Sequence, residues 1–427
     1  MRRPTRATLL MPRTWAFPYV VLWALAGLLP IQATDLDIFF WPSAKLAVAG
    51  HPLLVYSAGG QAAYPNANGP VALLPLTLVG LLVRSLGWLD AMPQRRAIAL
   101  AVFSLFLVLM AKEGVAAIER LRGSPLTTYP RLFTYATLAL SPPIWQSVLG
   151  YGHIEQPIEA WLLLLSARWL NQDRTVRGGV AFGLAVLTRS SSILMSVPLA
   201  LAARHRGWRR LITLGLATSI TGAAGLLPFY LADRANVTHS LFTYRGSLIV
   251  GAGSIWSLTH GRPLEAVVQH WDVAAVALAV VATNLWLATR PGGFDQARLL
   301  AGMALTSASF ALLAKTVWPY YFFEVFVLAT VWAFGRWRPA DGIIRLVMPS
   351  IAISTLGLLA EVGSEQGLPD FLVGVEGGGM FVLLGLTAAW MVWMAGQFRP
   401  RPAGIAGAAA ALQQHGSETG DDHARHS

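Results

Sequence analysis

Residues 178–203 read GGVAFGLAVLTRSSSILMSVPLALAA, between NQDRTVR at 171–177 and RHRGWRR at 204–210. A helix needs about 20 apolar residues to cross the hydrocarbon core of a bilayer, and this stretch is long enough. However, Arg189-Ser190-Ser191-Ser192 interrupts it, and both flanks are rich in arginine. Short arginine-rich loops lie on the cytoplasmic side of a membrane, so both ends of the stretch belong on one face. It must enter and return, as two helices of about 10–12 residues that meet near Arg189, too short to span singly. Such a broken pair is tolerated only inside protein or beside a cavity.

Composition supports the membrane reading. The chain has 427 residues, of which 55% are hydrophobic and 12% charged. The charged share is about half the roughly 25% of a soluble domain. A soluble fold of this length cannot cover so much apolar surface with so little charge. This excludes a soluble enzyme, a disordered chain and a nucleic-acid-binding module. The net charge of +11 comes from 32 basic and 21 acidic residues, and the basic residues cluster between apolar segments. Cysteine is absent, so no disulfide, thiolate metal site or Cys nucleophile is available. The basic start (Arg2, Arg3, Arg6, Arg13) precedes an apolar run without a small-residue cleavage site, so the first span is expected to be retained.

Outward from 178–203, the candidate spans are 14–33, 70–88, 97–118, 131–149, 155–170, 211–232, 271–289, 298–316, 320–335, 341–360 and 377–397. The N-terminus 1–13, the loops 171–177, 204–210, 290–298 and 336–345, and the tail from Arg399 are expected inside. The opposite face collects 34–69, 150–155, the tip at 189–192, 233–270, the Lys315–Tyr320 junction and 361–376. Three apolar segments separate the outside elements 34–69 and 150–155, an odd number of crossings. The segment 70–88, with Pro70, Pro75 and Arg84, is therefore expected to lie as an interfacial or re-entrant helix. The expected fold is an all-α polytopic membrane protein over 14–397. It is a bundle of about 10–13 transmembrane helices, with interfacial helices in the first long loop. The polar tail 398–427 is expected to be disordered.

Candidate chemistry falls on the face opposite the arginine loops. Asp35 and Asp37 sit where the first span ends, and partial burial there would raise a carboxylate toward a useful general base. The plainer reading of Asp35 is a cap of the next helix. His153 and Glu155 begin another helix and could bind a sugar hydroxyl, a phosphate or a metal. Together with Asp35 and Asp37 they are the one candidate metal set. Arg189 with Ser190–Ser192 offers a cation, hydroxyls and helix-end amides to a phosphate. The loop 233–270, with Arg245, His260 and Arg262, is long enough to act as a lid. Lys315 stands beside Trp318, Tyr320 and Tyr321, which also read as interfacial anchors.

Several of these residues form a pattern. Asp35-Leu36-Asp37-Ile38-Phe39, a short helix, Gly50 followed by Leu54-Val55-Tyr56, and Tyr64-Pro65 before a Pro-containing apolar segment resemble the first-loop signature of GT-C glycosyltransferases. The pattern is most similar to family 87, the polyprenyl-phosphate-mannose-dependent mannosyltransferases. Ser141-Pro142-Pro143, Tyr151-Gly152-His153, an apolar helix, Gly178-Gly179 and Leu187-Thr188-Arg189 resemble the family's next block. The likeness covers residues 30 to 210 or so.

The resemblance implies a GT-C-like fold and inverting transfer of a sugar, mannose by analogy. The donor would be a polyprenyl-phosphate sugar and the acceptor a lipid or glycan on the extracytoplasmic face. Asp35 would be the general base. Asp37 is an additional acid that the pattern does not require, so both remain candidates. Tyr56, His153, Glu155, Arg189, Arg245, His260, Arg262 and Lys315 are the candidate substrate and phosphate contacts. No cofactor is called for, and the metal requirement stays open. Membrane lipids are expected partners and nucleic acid is not. The expected location is the plasma membrane, and the Arg-, Ala- and Gly-rich composition suggests a bacterial inner membrane. The alternative is a polytopic transporter or lipid flippase. A transporter would concentrate polar residues at mid-depth between two repeats, whereas this chain shows no internal repeat and places them in unequal loops on one face.

Overall fold

The computed structural model describes residues 6–29, 34–59, 65–251, 253–291, 293–337, 384–389 and 391–398. Regular structure among them is helical, with no strand. The principal helices are α1 (Arg6–Ala26), α2 (Trp41–Val48), α3 (Pro70–Ser85), α4 (Met92–Arg122), α5 (Thr128–Leu140), α6 (Gln156–Asn171), α7 (Thr175–Thr188), α8 (Ser196–His205), α9 (Trp208–Ala232), α10 (Pro263–Ala288), α11 (Gln296–Leu313) and α12 (Phe323–Arg336). Among the described residues, α4, α9, α10 and α11 are long and apolar enough to cross a membrane, and α3 and α7 are shorter apolar helices.

Local sequence sets several boundaries. Pro93 opens α4 and Gly123, at φ 66°, closes it in the left-handed conformation that a glycine tolerates. Arg120 and Arg122 occupy its last turn, where cations suit the helix dipole. Asp295 caps α11 by accepting from the Arg298 N–H at 2.9 Å. Ser141-Pro142-Pro143 ends α5, because neither proline has an N–H to continue the helix. The core is rich in aromatics. Trp23 of α1 stacks on Trp145 with ring centroids 4.4 Å apart. By contrast, α9 has one buried residue, Leu214.

The bundle has two chemically distinct ends. At one, Arg206 donates to Asn171 Oδ1 at 2.7 Å, Asn171 donates to Gln296 Oε1 at 3.0 Å, and Arg122 donates to the Trp337 carbonyl at 2.8 Å. The ends of α4, α6, α8 and α12 and the start of α11 thus meet there. At the other, the Asp35 N–H donates to the Tyr151 carbonyl at 3.0 Å and Gln156 donates to the Tyr320 carbonyl at 2.7 Å.

The stretch 178–203 breaks where its sequence does. Helix α7 stops at Thr188, Arg189 is extended (φ −145°, ψ 122°), Ser190–Met195 forms a 3-10 segment, and α8 returns. Arg206 and Arg210 both pair with Asp173, so 171–177 and 204–210 share the arginine end.

Helix α3 keeps both of its ends at the other pole. At its start the Gly69 N–H donates to the Thr188 carbonyl at 3.1 Å, and a Cβ on Gly69 would collide with the Leu187 carbonyl. Near its finish Arg84 donates to the Val48 carbonyl at 2.7 Å, and Trp41 donates to Leu89 O at 3.3 Å.

Some boundaries differ from expectation. The first helix is Arg6–Ala26 rather than 14–33, and Gly27, just past its end, lies so close to the Ala97 backbone that a Cβ there would collide with it. Helix α10 begins at Pro263, so the loop expected at 233–270 ends at Arg262; Glu265, Gln269 and His270 made its first turns look like loop. That loop also carries short helical turns at Arg234–Thr238, Tyr244–Ser247 and Ile255–Thr259. The spans expected at 341–360 and over the first part of 377–397, the loop 361–376 and the tail from Arg399 lie outside the described residues.

Candidate functional site

The first turn after α1 delivers two acids to different surroundings. Leu36–Phe40 is a π-helical turn that runs directly into α2. Asp37 points into the protein and is held by two guanidinium groups: Arg95 at 2.8 Å on Oδ1 and Arg96 at 2.7 Å on Oδ2. The Arg95 guanidinium also lies 5.1 Å from the Trp41 ring centre. With its side chain 2% exposed and both oxygens bonded, Asp37 is an internal anchor that ties α2 to the start of α4.

Asp35 is different. Its side chain is 25% exposed, and its Oδ2 lies 2.8 Å from His153 Nε2. No partner of Asp35 Oδ1 is found among the described residues. The other ring nitrogen of His153, Nδ1, lies 2.6 Å from Glu155 Oε1. One imidazole therefore bridges two carboxylates. Burial by itself disfavours the charged ring, but Glu155 and Asp35 outweigh it and raise the His153 pKa to about 9. The Tyr320 ring covers His153, with centroids 3.6 Å apart and planes inclined by 31°.

The turn that presents His153 depends on Gly152. Its φ is +75°, and a Cβ there would come within 2.5 Å of Thr34 Oγ1 and 2.6 Å of Leu36 N. Only glycine allows the 150–155 turn to lie against the Asp35 turn. Thr34 Oγ1 and Glu155 Oε2 are buried without a partner among the described residues.

Arg189 stands beside this cluster. It donates to Glu324 Oε1 at 2.7 Å, lies 3.7 Å from Glu159 Oε2, and sits 6.0 and 5.3 Å from the ring centres of Tyr320 and Tyr321. Ser192 donates to Glu159, which joins the 3-10 segment to α6. Arg245 approaches Tyr321 as well, 5.6 Å from its centre.

The structure thus brings together Asp35, His153, Glu155 and Arg189, with Arg245 at the edge. Four other candidates sit elsewhere. The Tyr56 hydroxyl is buried and donates to the Asn68 carbonyl at 3.1 Å, a contact that holds the first loop. The Lys315 ammonium donates to the Gly246 and Gln269 carbonyls at 2.9 and 2.8 Å and pins the loop to α10. His260 pairs with Glu265 at 3.0 Å at the start of α10, and Arg262 is the residue before that helix. The four-residue metal set does not form, because Asp37 faces two arginines and both nitrogens of His153 face carboxylates. Among the described residues no group of three His, Asp or Glu could hold a metal ion.

Sequence reading passed over Arg95, Arg96, Glu159, Tyr320 as a cover for His153, and Glu324. Arg95 and Arg96 fall between the expected spans 70–88 and 97–118. Glu159 and Glu324 were lone acids in apolar helices, which is itself a signal, since such acids find a partner. No family model matches the chain, and no curated protein matches it.

Proposed function

We propose that the protein is a polytopic membrane glycosyltransferase of the GT-C type. It would transfer a sugar from a polyprenyl-phosphate donor to a hydroxyl of a lipid or glycan acceptor, with inversion, on the extracytoplasmic face. The observation that carries this reading is the contrast between the two acids: Asp37 is fully engaged by Arg95 and Arg96, while one oxygen of Asp35, beside His153, has no partner among the described residues.

In the proposed step the acceptor oxygen attacks the anomeric carbon, and the bond from that carbon to the phosphate oxygen breaks. Polyprenyl phosphate leaves with the electron pair, and the hydroxyl proton passes to Asp35 Oδ1. His153, fixed by Glu155, orients the carboxylate. Arg245, on the aromatic shelf of Tyr321, supplies positive charge near the leaving phosphate, and Arg189, paired with Glu324, holds that shelf in place. The sugar is mannose by analogy with family 87.

The test is sugar transfer by the purified chain in nanodiscs, offered polyprenyl-phosphate sugars and nucleotide sugars, with wild type beside Asp35→Asn. Turnover of a lipid-linked sugar that the variant loses supports the reading. Use of a nucleotide donor alone, or equal activity in both proteins, overturns it. A transporter or flippase draws support from the buried Arg189–Glu324–Glu159 cluster, and predicts lipid or solute flux without transfer.

A further inference from the structure

At the arginine end, remote from Asp35, a cavity of about 640 Å³ opens between the ends of α4 and α12 and the start of α11. Arg120, Arg122, Asn171, Asp295, Gln296 and Arg336 are among the residues that line it. Its size suits a small ligand, and a lining this polar disfavours an apolar one.

The charge balance there is uneven. Arg122 donates to the Phe334 and Trp337 carbonyls, at 3.3 and 2.8 Å, and to no carboxylate among the described residues. Arg336 is exposed and has no hydrogen-bond or carboxylate partner among the described residues; its guanidinium lies 5.6 Å from the Phe398 ring centre. Arg120 shares Glu113 with Arg168, at 2.9 and 2.6 Å, so one carboxylate serves two cations. The Arg120 Nε is buried without a partner among the described residues. Asp295 is the one carboxylate of the lining, and its Oδ1 is engaged in capping α11. Gln296 and Ala297, also in the lining, begin that helix, and the N–H groups of a first turn have no acceptor within the helix. Guanidinium groups without carboxylate partners among the described residues, beside the positive end of an 18-residue helix, favour an oxyanion.

We propose that this cavity binds a phosphate-bearing anion, gripped by Arg122 and Arg336 with Arg120 behind them. The site is separate from the Asp35 cluster and does not depend on the proposed transfer activity. A free phosphate and an anionic lipid headgroup share this chemistry.

Native mass spectrometry of the delipidated full chain would test it, with phosphatidylglycerol and phosphatidylcholine as probes and millimolar inorganic phosphate as competitor. Arg336→Gln is the main variant, because that side chain is exposed and has no hydrogen-bond or carboxylate partner among the described residues, its one ring contact being Phe398. Arg122→Gln is the second, and Arg174→Gln, exposed and outside the lining, is the control. The expected result is one retained phosphatidylglycerol, no retained phosphatidylcholine, and roughly tenfold weaker retention in Arg336→Gln, with Arg174→Gln unchanged and melting temperatures preserved. Displacement by phosphate would identify a small-anion site, and resistance to it a headgroup site. Equal retention of the two lipids overturns the proposal, as does an equal loss in the control. So does wild-type retention by both cavity variants.

Discussion

The backbone N–H of Asp35 donates to the carbonyl of Tyr151 at 3.0 Å. Two turns more than a hundred residues apart are thereby laid side by side, and the carboxylate of one meets the imidazole of the other. The contact leaves no space for a side chain at position 152. Gly152→Ala should push the turns apart and lower turnover of a lipid-linked sugar by about 10²-fold, since positioning errors of about 1 Å cost that much. The fold should survive, with a melting temperature only a few degrees lower. Wild-type turnover in this variant would show that the juxtaposition has no part in the activity.

Asp35→Asn and Asp37→Asn should separate cleanly. The first removes the proposed base and should reduce turnover by about 10²–10⁴-fold, with donor binding and stability retained. The second leaves Arg95 and Arg96 without their shared counter-charge, and breaking a buried pair of this kind costs about 3–5 kcal/mol. Its signature is a lower unfolding midpoint with substantial activity in the fraction that still folds. Parallel measurement of turnover and melting for both proteins checks the pair, and the reverse pattern would exchange the two roles.

The bridging imidazole makes stability depend on pH. The pKa of His153 is raised in the folded protein from 6.5 to about 9, so the folded state binds the proton more tightly than the unfolded chain. The resulting stabilisation is complete below pH 6.5, declines above it, and is gone once pH passes about 9. Melting temperature should fall over that window in the wild type. In His153→Gln the same scan should be flatter, and two parallel scans would remove His153 as the source.

Arg189 is buried against Glu324 and Glu159. Arg189→Gln strands two acids and should cost about 3–5 kcal/mol. Removing the charges together, as Arg189→Met with Glu324→Gln, should recover part of that loss. A double-mutant cycle of unfolding midpoints reads the coupling, and strict additivity would mean that the pair is energetically idle.

Much of this arrangement was legible in the chain, for identifiable reasons. The break at Arg189 was visible because a charge and three hydroxyls stand in an apolar run between two arginine-rich flanks. Counting crossings set 70–88 apart from the other spans, and the contacts of Gly69, Arg84 and Leu89 keep both ends of α3 at one pole of the bundle. Pairings at long separation were hidden. Asp35 and Asp37 look alike in sequence, and only the distant Arg95 and Arg96 distinguish them. Lys315 looked like a free cation because the two carbonyls it grips carry no side-chain signal. The start of α10 was missed because its first turns are polar, although Pro263 marks the helix entrance.

The broken pair also bears on how the chain is made. Neither α7 nor α8 is long enough to hold itself across a bilayer, as helices of 14 and 10 residues extend about 21 and 15 Å. Glu324, the closest counter-charge of Arg189, is synthesised 135 residues later. Until α12 emerges from the ribosome, Arg189 has only the more distant Glu159 to balance it. The hairpin is therefore completed by a segment made much later, and a nascent chain halted before Glu324 leaves Arg189 with Glu159 as its remaining counter-charge.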